Sequence, residues 1–201
     1  MAAGQQGEMQ RMQPVDETRL ILIRHAPALH EGRLAGRRDV AANLSDAAQF
    51  DALRAMLARE GVTRRVSSPA RRCVQTAGVL WPGQDASQDA RLWEQDFGAW
   101  EGMAFADLPD LGNLSRADLA AHCPPGGESF TDLCARVTPA LQEIASAPGV
   151  VAVVAHAGVI RAALGVGPAA LGFEIAPLSV TLLRVFPGHD WSVVCVNRMA
   201  G

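Results

Sequence analysis

Two short runs of branched apolar residues dominate the hydrophobic pattern of the chain. Leu20–Ile23 and Val150–Ala155 contain no polar position at all. A continuous apolar run of this length is typical of a strand buried on both faces, as in the parallel sheets of α/β proteins. The pattern therefore predicts buried strands at Arg19–Arg24 and Val150–Ala155, with helices covering both sides of the sheet.

Between these strands, apolar residues recur at helical spacing through much of the chain. Ser45 is a candidate N-cap for a helix that ends at Gly61, and Ser68-Pro69 is a candidate start for a second helix. Ser129 and Asp132 resemble a capping box, which predicts a third helix to about Ala147. The other predicted elements are a strand at Val62–Ser67, a polar connection at Asp85–Arg91, a structured loop at Leu92–Gly102, short helices within Phe105–His122, a helix from Val159, a helical turn at Pro168–Phe173, and a strand pair at Leu178–Val185 and Trp191–Val196.

The order of these elements indicates the fold class. Strands and helices alternate up to about residue 165, which favours a largely parallel sheet. The last two strands are joined by a short Pro-Gly turn and add an antiparallel hairpin at one edge. We predict a three-layer α/β fold with a mostly parallel central sheet and helices on both faces. Residues 19–201 are expected to form one domain with a small cap around 103–128, after a disordered tail at 1–18.

Composition narrows the classes of function that this chain can have. At 201 residues with 49% hydrophobic content, the chain can bury a sizeable core. The net charge is −3 and there is no long basic run, which disfavours a general nucleic-acid or membrane-surface role. The four cysteines form no CxxC pair and show no metal-like spacing, so free thiols in a reducing, cytoplasmic compartment are expected. No metal site and no cofactor is predicted.

Both buried strands end on a histidine. Arg24-His25 follows the first strand and His156 follows the second. The carboxyl ends of parallel strands meet at one edge of a sheet, where α/β proteins bind ligands. An arginine pair opens the second predicted helix, and glutamates lie in the loop at 92–102. Guanidinium groups bind phosphate, neutral imidazole attacks phosphorus, and a carboxylic acid protonates a leaving alkoxide. The pattern therefore indicates phosphoryl chemistry.

Five sequence blocks carry a family resemblance. They are Arg24-His25-Ala26, Ser67–Ala77, Leu92–Gly102, Pro125–Ser129 and Val154–Arg161. In this order they resemble the motifs of the histidine phosphatases, also called the phosphoglycerate-mutase-like superfamily. The blocks reach from about residue 19 to residue 165.

The resemblance implies a role for each matching residue. It implies that His25 is the nucleophile that becomes phosphohistidine, and that Glu94 is the acid that protonates the leaving oxygen and then activates water. The groups expected to bind the phosphate are Arg24, Arg72, His156 and the backbone N–H of Ala157 at a predicted helix start. The expected partner is a small phosphorylated metabolite, with no nucleic acid and no membrane, and the oligomeric state is left undetermined.

The departures from the family pattern favour hydrolysis over mutase activity. Ala26-Pro27 stands where the family usually has a glycine, Ala157-Gly158 replaces a Gly-Gly pair, and the chain lacks the larger inserted cap of the mutases. The Arg-His-Ala-Pro start and Gly36–Asp39 resemble the α-ribazole phosphatase branch of cobalamin biosynthesis. This resemblance implies α-ribazole 5′-phosphate as substrate. Phosphoglycerate-mutase-type transfer and a non-catalytic phospho-ligand binding role are the alternatives.

Several residues near these motifs permit two interpretations. Glu101 is either a second acid or a carboxylate that orients an arginine. The loop arginines Arg33, Arg37 and Arg38 either line the mouth of the pocket or lie in solvent. Trp93 is interpreted as a packing residue rather than a substrate-stacking one.

Overall fold

A computed structural model describes residues 17–201 as a six-stranded sheet flanked by helices. The strands are β1 (Thr18–Arg24), β2 (Arg64–Ser67), β3 (Ser87–Gln88), β4 (Gly149–Ala155), β5 (Val180–Val185) and β6 (Ser192–Arg198). The α-helices are α1 (Ala47–Glu60), α2 (Arg71–Leu80), α3 (Arg116–Ala121), α4 (Phe130–Ile144) and α5 (Ala157–Ala163). Short 3₁₀ turns lie at Ala90–Leu92, Gly98–Trp100, Phe105–Asp107 and Gly167–Gly172.

The sheet has the predicted mixed topology. Its strand order is β3-β2-β4-β1-β5-β6. β1, β2, β3 and β4 are mutually parallel, whereas β5 pairs antiparallel with β1 and β6 pairs antiparallel with β5. The predicted α/β fold, mostly parallel with an antiparallel edge hairpin, is confirmed.

The two central strands are buried by layers on both sides, because their side chains alternate between two hydrophobic clusters. Leu20 and Leu22 of β1 pack with α4 and α5 on one face. Ile21 and Ile23 pack with α1 and α2 on the other face. This two-sided burial explains why β1 and β4 have continuous apolar runs instead of alternating ones.

Two predicted helix boundaries are confirmed by their capping groups. The Ser129 hydroxyl accepts the Asp132 N–H and the Asp132 carboxylate accepts the Ser129 N–H, which completes the capping box of α4. Gly61 follows α1 with φ of 68°, the left-handed conformation that favours glycine at a helix end.

Other predicted boundaries are wrong by a few residues. Asp46, not Ser45, caps α1, because its carboxylate accepts the Gln49 N–H. Helix α2 begins at Arg71, after Ser68-Pro69, where the Arg71 N–H donates to the Asp39 carboxylate from a distant loop at 2.6 Å. Helix α5 begins at Ala157, two residues before the predicted start at Val159. The predicted polar connection contains the short strand β3.

The structure describes the whole of the predicted cap but only the last two residues of the predicted tail. Residues 1–16 of the expected disordered tail lie outside the described residues, whereas Thr18 already belongs to β1. The segment at 103–128, expected to form a cap, contains one 3₁₀ turn and helix α3. None of the helices in residues 17–201 is long and apolar enough to cross a membrane.

Candidate active site

The register of the two central strands brings the two predicted histidines together. Arg24 lies opposite Ala155 in the parallel pairing of β1 and β4, so His25 and His156 leave the sheet side by side. Their ring centroids are 5.1 Å apart with an interplanar angle of 67°, and both side chains are buried. Both histidines therefore lie at the carboxyl edge of the parallel strands, where α/β proteins bind ligands.

A backbone carbonyl fixes the tautomer of His25. Nδ1 lies 2.6 Å from the Ala26 carbonyl oxygen, which can only accept a hydrogen bond, so Nδ1 carries the proton. Nε2 then has the free lone pair, and the Arg72 Nε–H donates to it at 3.3 Å. Burial lowers the pKa of His25 to about 3, and the positive charges of Arg72 and Arg24 act in the same direction, although the Ala26 carbonyl opposes them. His25 is therefore a neutral imidazole at physiological pH.

His156 is held by groups that the sequence analysis did not single out. It is the N-cap residue of α5, and its Nε2 lies 2.8 Å from the Ser68 hydroxyl. The Cys73 thiol lies 3.5 Å from the same nitrogen. Burial lowers the pKa of His156, and the positive charges of Arg72 and Arg24 lower it further. Ser68 and Cys73 both belong to the second sequence block, so the motif was visible although these contacts were not.

Arg72 connects the nucleophile position to the loop that follows β1. Its side chain is 1% exposed, whereas the neighbouring Arg71 lies in solvent. Nη1 donates to the Arg38 carbonyl at 3.1 Å and Nη2 donates to the Gly36 carbonyl at 2.8 Å, while Nε contacts His25. One guanidinium thus positions the nucleophile candidate and the loop at the same time.

Arg24 provides a second buried guanidinium beside the histidines. Nη1 donates to the Ile175 carbonyl, and the buried Nε–H has no partner within residues 17–201. Burial lowers the pKa of Arg24, and the nearby Glu94 carboxylate opposes this effect. Buried N–H groups almost always have a partner, so an unpaired one at this position suits an anionic ligand.

Glu94 is placed against the start of α5 by two backbone amides. Its carboxylate accepts the Gln95 N–H at 3.0 Å and the Gly158 N–H at 3.2 Å. A β-carbon at Gly158 would lie 2.2 Å from Glu94 Oε1, so any larger residue there would displace the carboxylate. Ala157, the predicted backbone donor, is the first residue of α5 and directly follows His156. A helix has no intrahelical acceptor for the N–H groups of its first turn.

The loop that carries Glu94 is held by an arginine that the sequence analysis missed. Arg136 on α4 donates Nη1–H to the Trp93 carbonyl at 3.0 Å and to the Arg91 carbonyl at 2.6 Å. The same guanidinium forms an ion pair with Glu128 at 2.7 Å. In the sequence, Arg136 appears only as a polar position of helix α4. Its role in holding the loop depends on contacts with distant segments, which the sequence pattern does not show.

Glu101 matches neither of its two sequence interpretations. Its carboxylate accepts the backbone N–H groups of Gly36 at 3.2 Å, Arg37 at 2.7 Å and Arg38 at 3.2 Å. It also accepts the Phe97 N–H at 3.2 Å. Glu101 therefore orders the backbone of the loop after β1, and it does so through amides rather than through an arginine side chain.

The three loop arginines lie in different surroundings. Arg33 is exposed and donates Nη1–H to the Gly102 carbonyl at 3.0 Å. The Arg37 guanidinium lies over the Trp93 ring, 5.7 Å from its centroid, and Arg38 is also partly buried. Trp93 in turn is parallel to the His156 ring, with an interplanar angle of 8° and centroids 6.5 Å apart. Trp93 thus connects Arg37 to the histidine pair.

Across residues 17–201, no three His, Cys, Asp or Glu side chains are grouped in a way that could hold a metal ion. The thiols that the structure describes are all free: Cys73, Cys123, Cys134 and Cys195.

Comparisons with known proteins agree with this geometry. The family model described as "Histidine phosphatase superfamily (branch 1)" matches residues 20–198. A glucosyl-3-phosphoglycerate phosphatase of Mycolicibacterium vanbaalenii is 33% identical over 162 residues, covering 72% of this chain and 71% of that protein. The native structure of a mycobacterial glucosyl-3-phosphoglycerate phosphatase superposes with a TM-score of 0.76 at 27% identity, covering 90% of this chain and 99% of that one.

One further relative is much longer than the matched segment. A bifunctional protein of Mycobacterium tuberculosis is 38% identical over 129 residues, which cover 60% of this chain. The same match covers 35% of that protein, so this chain corresponds to about a third of its length.

Proposed function

The chain belongs to the histidine phosphatase superfamily, and from this premise we propose that it is a phosphomonoesterase. It hydrolyses a small-molecule phosphate ester through a phosphohistidine intermediate and needs no metal ion. The observation that carries the proposal is the state of His25. Its Nδ1–H is fixed on the Ala26 carbonyl, and its unprotonated Nε2 faces the Arg72 guanidinium.

In the first displacement, the Arg72 Nε–H moves from His25 to the phosphoryl oxygens. His25 Nε2 attacks phosphorus in line, the bond from phosphorus to the ester oxygen breaks, and Glu94 donates a proton to the leaving alkoxide. The imidazole becomes cationic when Nε2 bonds to phosphorus. The Ala26 carbonyl stabilises this charge because it already accepts the Nδ1–H.

In the second displacement, water attacks the same phosphorus from the opposite side. The Glu94 carboxylate takes a proton from the water, the phosphorus–nitrogen bond breaks, and inorganic phosphate leaves. His25 returns to the neutral state that burial favours. Each displacement thus uses Glu94 once, first as acid and then as base.

The remaining groups stabilise charge on the equatorial oxygens. Arg24 offers a buried N–H without a partner among the described residues, Arg72 offers its released Nε–H, and His156 lies 5.1 Å from His25. The backbone N–H of Ala157 is the fourth donor. By analogy with oxyanion-hole deletions, removing one such donor costs about 2.7–4 kcal/mol of transition-state stabilisation.

Two substrate candidates have different support. The Arg-His-Ala-Pro start supports α-ribazole 5′-phosphate, in a cytoplasmic cobalamin pathway. Two of the similar proteins, by contrast, are named glucosyl-3-phosphoglycerate phosphatases, which supports a phosphorylated glycerate derivative. Because one fold accommodates many substrates, only a direct comparison decides between them.

The test is a phosphate-release screen with chelator present throughout. It compares α-ribazole 5′-phosphate, glucosyl-3-phosphoglycerate, phosphoglycerates, sugar phosphates and nucleotides with wild-type protein and with His25→Ala. We expect turnover that persists in chelator and is lost in the variant. Retained turnover in His25→Ala would refute the mechanism, and loss of turnover in chelator would refute metal independence. Phosphoryl exchange between phosphoglycerates would show a mutase, and binding without turnover of any ester would show a non-catalytic member.

A further inference from the structure

One peptide group links the Arg24 guanidinium to the edge strand β6. It lies in the segment between the 3₁₀ turn at Gly167–Gly172 and β5. Its carbonyl, which belongs to Ile175, accepts the Arg24 Nη1–H at 2.5 Å. Its N–H, which belongs to Ala176, donates to the side-chain oxygen of Asn197 at 2.6 Å. Because a peptide group is planar and rigid, the Asn197 side chain and the Arg24 guanidinium hold the two ends of one unit.

The Ile175 carbonyl determines where the Arg24 guanidinium points. Within residues 17–201 it is the single hydrogen-bond acceptor of the Arg24 side chain, whose buried Nε–H has no partner there. No ion pair among the same residues includes Arg24. Any rotation of the peptide would therefore redirect a group that is expected to bind the phosphoryl oxygens. The hydrogen bond from Ala176 to Asn197 also polarises the peptide, which strengthens its carbonyl as an acceptor.

A turn follows this peptide and is held by the backbone of Arg24. The Ser179 N–H donates to the Ala176 carbonyl at 3.1 Å, which closes the turn. Leu178 inside it has φ of 60°, a conformation that favours glycine, so neighbouring contacts must maintain it. The Leu178 N–H donates to the Arg24 carbonyl at 3.0 Å, and the Arg24 N–H donates to the Ser179 carbonyl at 3.2 Å. The chain after the peptide is thus fixed by β1, and the Asn197 side chain fixes the peptide from its other edge.

An irregularity in β6 places Asn197 for this contact. The three residues Val180–Leu182 of β5 lie opposite the four residues Cys195–Arg198 of β6, so β6 carries one extra residue. Such a bulge redirects side chains and is frequent beside active sites. Asn197 lies in it with φ of 56°, a left-handed conformation that asparagine tolerates better than most residues, and its N–H donates to the Thr181 hydroxyl at 3.3 Å. The bulge therefore presents an amide oxygen to the peptide that holds Arg24.

We propose that Asn197 is a positioning residue for Arg24 and acts through the Ile175–Ala176 peptide. This inference rests on the proposed function. Asn197 holds the carbonyl that directs the guanidinium, so the phosphate-binding donor is preorganised before the ester binds. Loss of the amide oxygen would allow the peptide to rotate, and Arg24 would then meet the phosphoryl group in fewer of the bound complexes.

Two substitutions at Asn197 separate its side-chain oxygen from its backbone conformation. Asn197→Gly keeps the left-handed conformation and removes the acceptor, whereas Asn197→Asp keeps an acceptor in a residue that also tolerates this conformation. The substrate is para-nitrophenyl phosphate, because its phenolate leaves without much help from Glu94. We expect kcat/KM to fall about 10-fold in Asn197→Gly, since a misplacement of about 1 Å would cost about 100-fold. Asn197→Asp should recover most of the wild-type value.

A double-mutant cycle with Arg24 distinguishes positioning from general damage. Arg24→Ala should lower kcat/KM by about 10²–10³-fold, as the loss of an oxyanion-hole donor does. In that background Asn197→Gly should have almost no further effect, because the residue through which it acts is gone. Inhibition by orthovanadate should follow the same pattern, weakening in Asn197→Gly but not weakening further when Asn197→Gly is added to Arg24→Ala.

Asp46→Ala is the control for lost stability. It removes the exposed N-cap of α1, so it should lower the urea midpoint of unfolding and leave kcat/KM unchanged. Wild-type kcat/KM in Asn197→Gly, an equal loss in Asn197→Asp, or a full additional loss in the Arg24→Ala background would overturn the role of Asn197.

His25→Ala is assayed alongside to separate this inference from the proposed function. Normal kinetics in Asn197→Gly together with an inactive His25→Ala would remove the positioning role and retain the phosphatase. Turnover that survives in His25→Ala would overturn the proposed function, and the role of Asn197 with it.

Discussion

Gly158→Ala is the substitution that most directly tests how the catalytic acid is placed. Gly158 lies in α5 and donates its N–H to the Glu94 carboxylate at 3.2 Å. An added β-carbon would lie 2.2 Å from Glu94 Oε1 and 2.8 Å from Leu133 Cδ2, where 3.4 Å is an ordinary contact. The carboxylate must therefore move by about 1 Å or more, while both obstructing groups are ends of flexible side chains.

The expected effect is large on catalysis and small on stability. A displacement of 1 Å is enough to cost about 100-fold, and loss of general acid catalysis costs about 10²–10⁴-fold. On the stability side, alanine is favoured over glycine inside a helix by about 1 kcal/mol, which offsets much of the roughly 1–3 kcal/mol cost of overpacking. We therefore expect kcat for alkyl phosphates to fall by about 10²–10⁴-fold in a protein that remains folded.

The assay compares leaving groups that need the acid to different degrees. An alkoxide requires protonation as it leaves, whereas an acidic phenol departs without much help. Gly158→Ala should thus lose far more activity on alkyl phosphates than on an aryl phosphate such as para-nitrophenyl phosphate. Gly78→Ala in α2 is the matched control, because no atom outside the adjacent backbone of its own helix lies within 4 Å of its added β-carbon. It should retain full activity and gain about 0.5–1 kcal/mol of stability.

Two results would contradict the reasoning about Gly158. One is wild-type activity on alkyl phosphates, which would mean that Glu94 tolerates the displacement or is not the acid. The other is an equal loss on alkyl and aryl phosphates, which would indicate general damage to the site rather than a misplaced proton donor.

Three further predictions concern the groups around the histidines. Burial keeps His25 neutral in the folded protein, whereas in the unfolded chain its imidazole binds a proton as the pH falls through about 6.5. The contribution of His25 to the free energy of unfolding should therefore fall by about 2 kcal/mol between pH 7 and pH 5, in addition to the fall from His156, whose pKa burial also lowers. Urea unfolding of His25→Gln should show a correspondingly weaker pH dependence than the wild-type protein, and an unchanged slope would contradict the burial argument. Glu101→Ala leaves four backbone N–H groups without their acceptor and should cost about 2–4 kcal/mol in unfolding free energy, a value below 1 kcal/mol contradicting its role in the loop. Thr76→Val removes the hydroxyl that accepts the Ala26 N–H at 3.0 Å, so kcat/KM should fall about 10-fold as the carbonyl that orients His25 shifts, and unaltered kinetics would show that this anchor is dispensable.

The predictable parts of the fold are those where burial or a local hydrogen bond leaves a recognisable pattern of residues in the sequence. The two central strands are covered on both faces, so their continuous apolar runs identified them in the sequence. Each run ends at the carboxyl edge of the sheet, where the histidines follow. The pairing of Arg24 with Ala155 then places His25 beside His156 without further information. The cap of α4 was predictable for a similar reason, since Ser129 and Asp132 satisfy each other locally.

The parts that were not predictable depend on contacts between distant segments. Helix α2 begins at Arg71 because the Asp39 carboxylate, more than thirty residues earlier, accepts its N–H. Glu101 orders a loop more than sixty residues away, which no local pattern around it reveals. Arg136 appears in the sequence as an ordinary polar helix residue, although it holds the carbonyls on either side of Leu92.

Identifying the phosphorylated residue decides whether His25 is the nucleophile. Wild-type protein mixed with a turned-over ester is quenched in alkali within milliseconds to seconds, digested, and examined by mass spectrometry for phosphopeptides. We expect an acid-labile, alkali-stable phosphoryl group on His25 that forms and decays at rates matching turnover. A phosphoryl group on His156, Ser68 or Cys73 instead, or steady phosphate release with no phosphoenzyme at all, would contradict it.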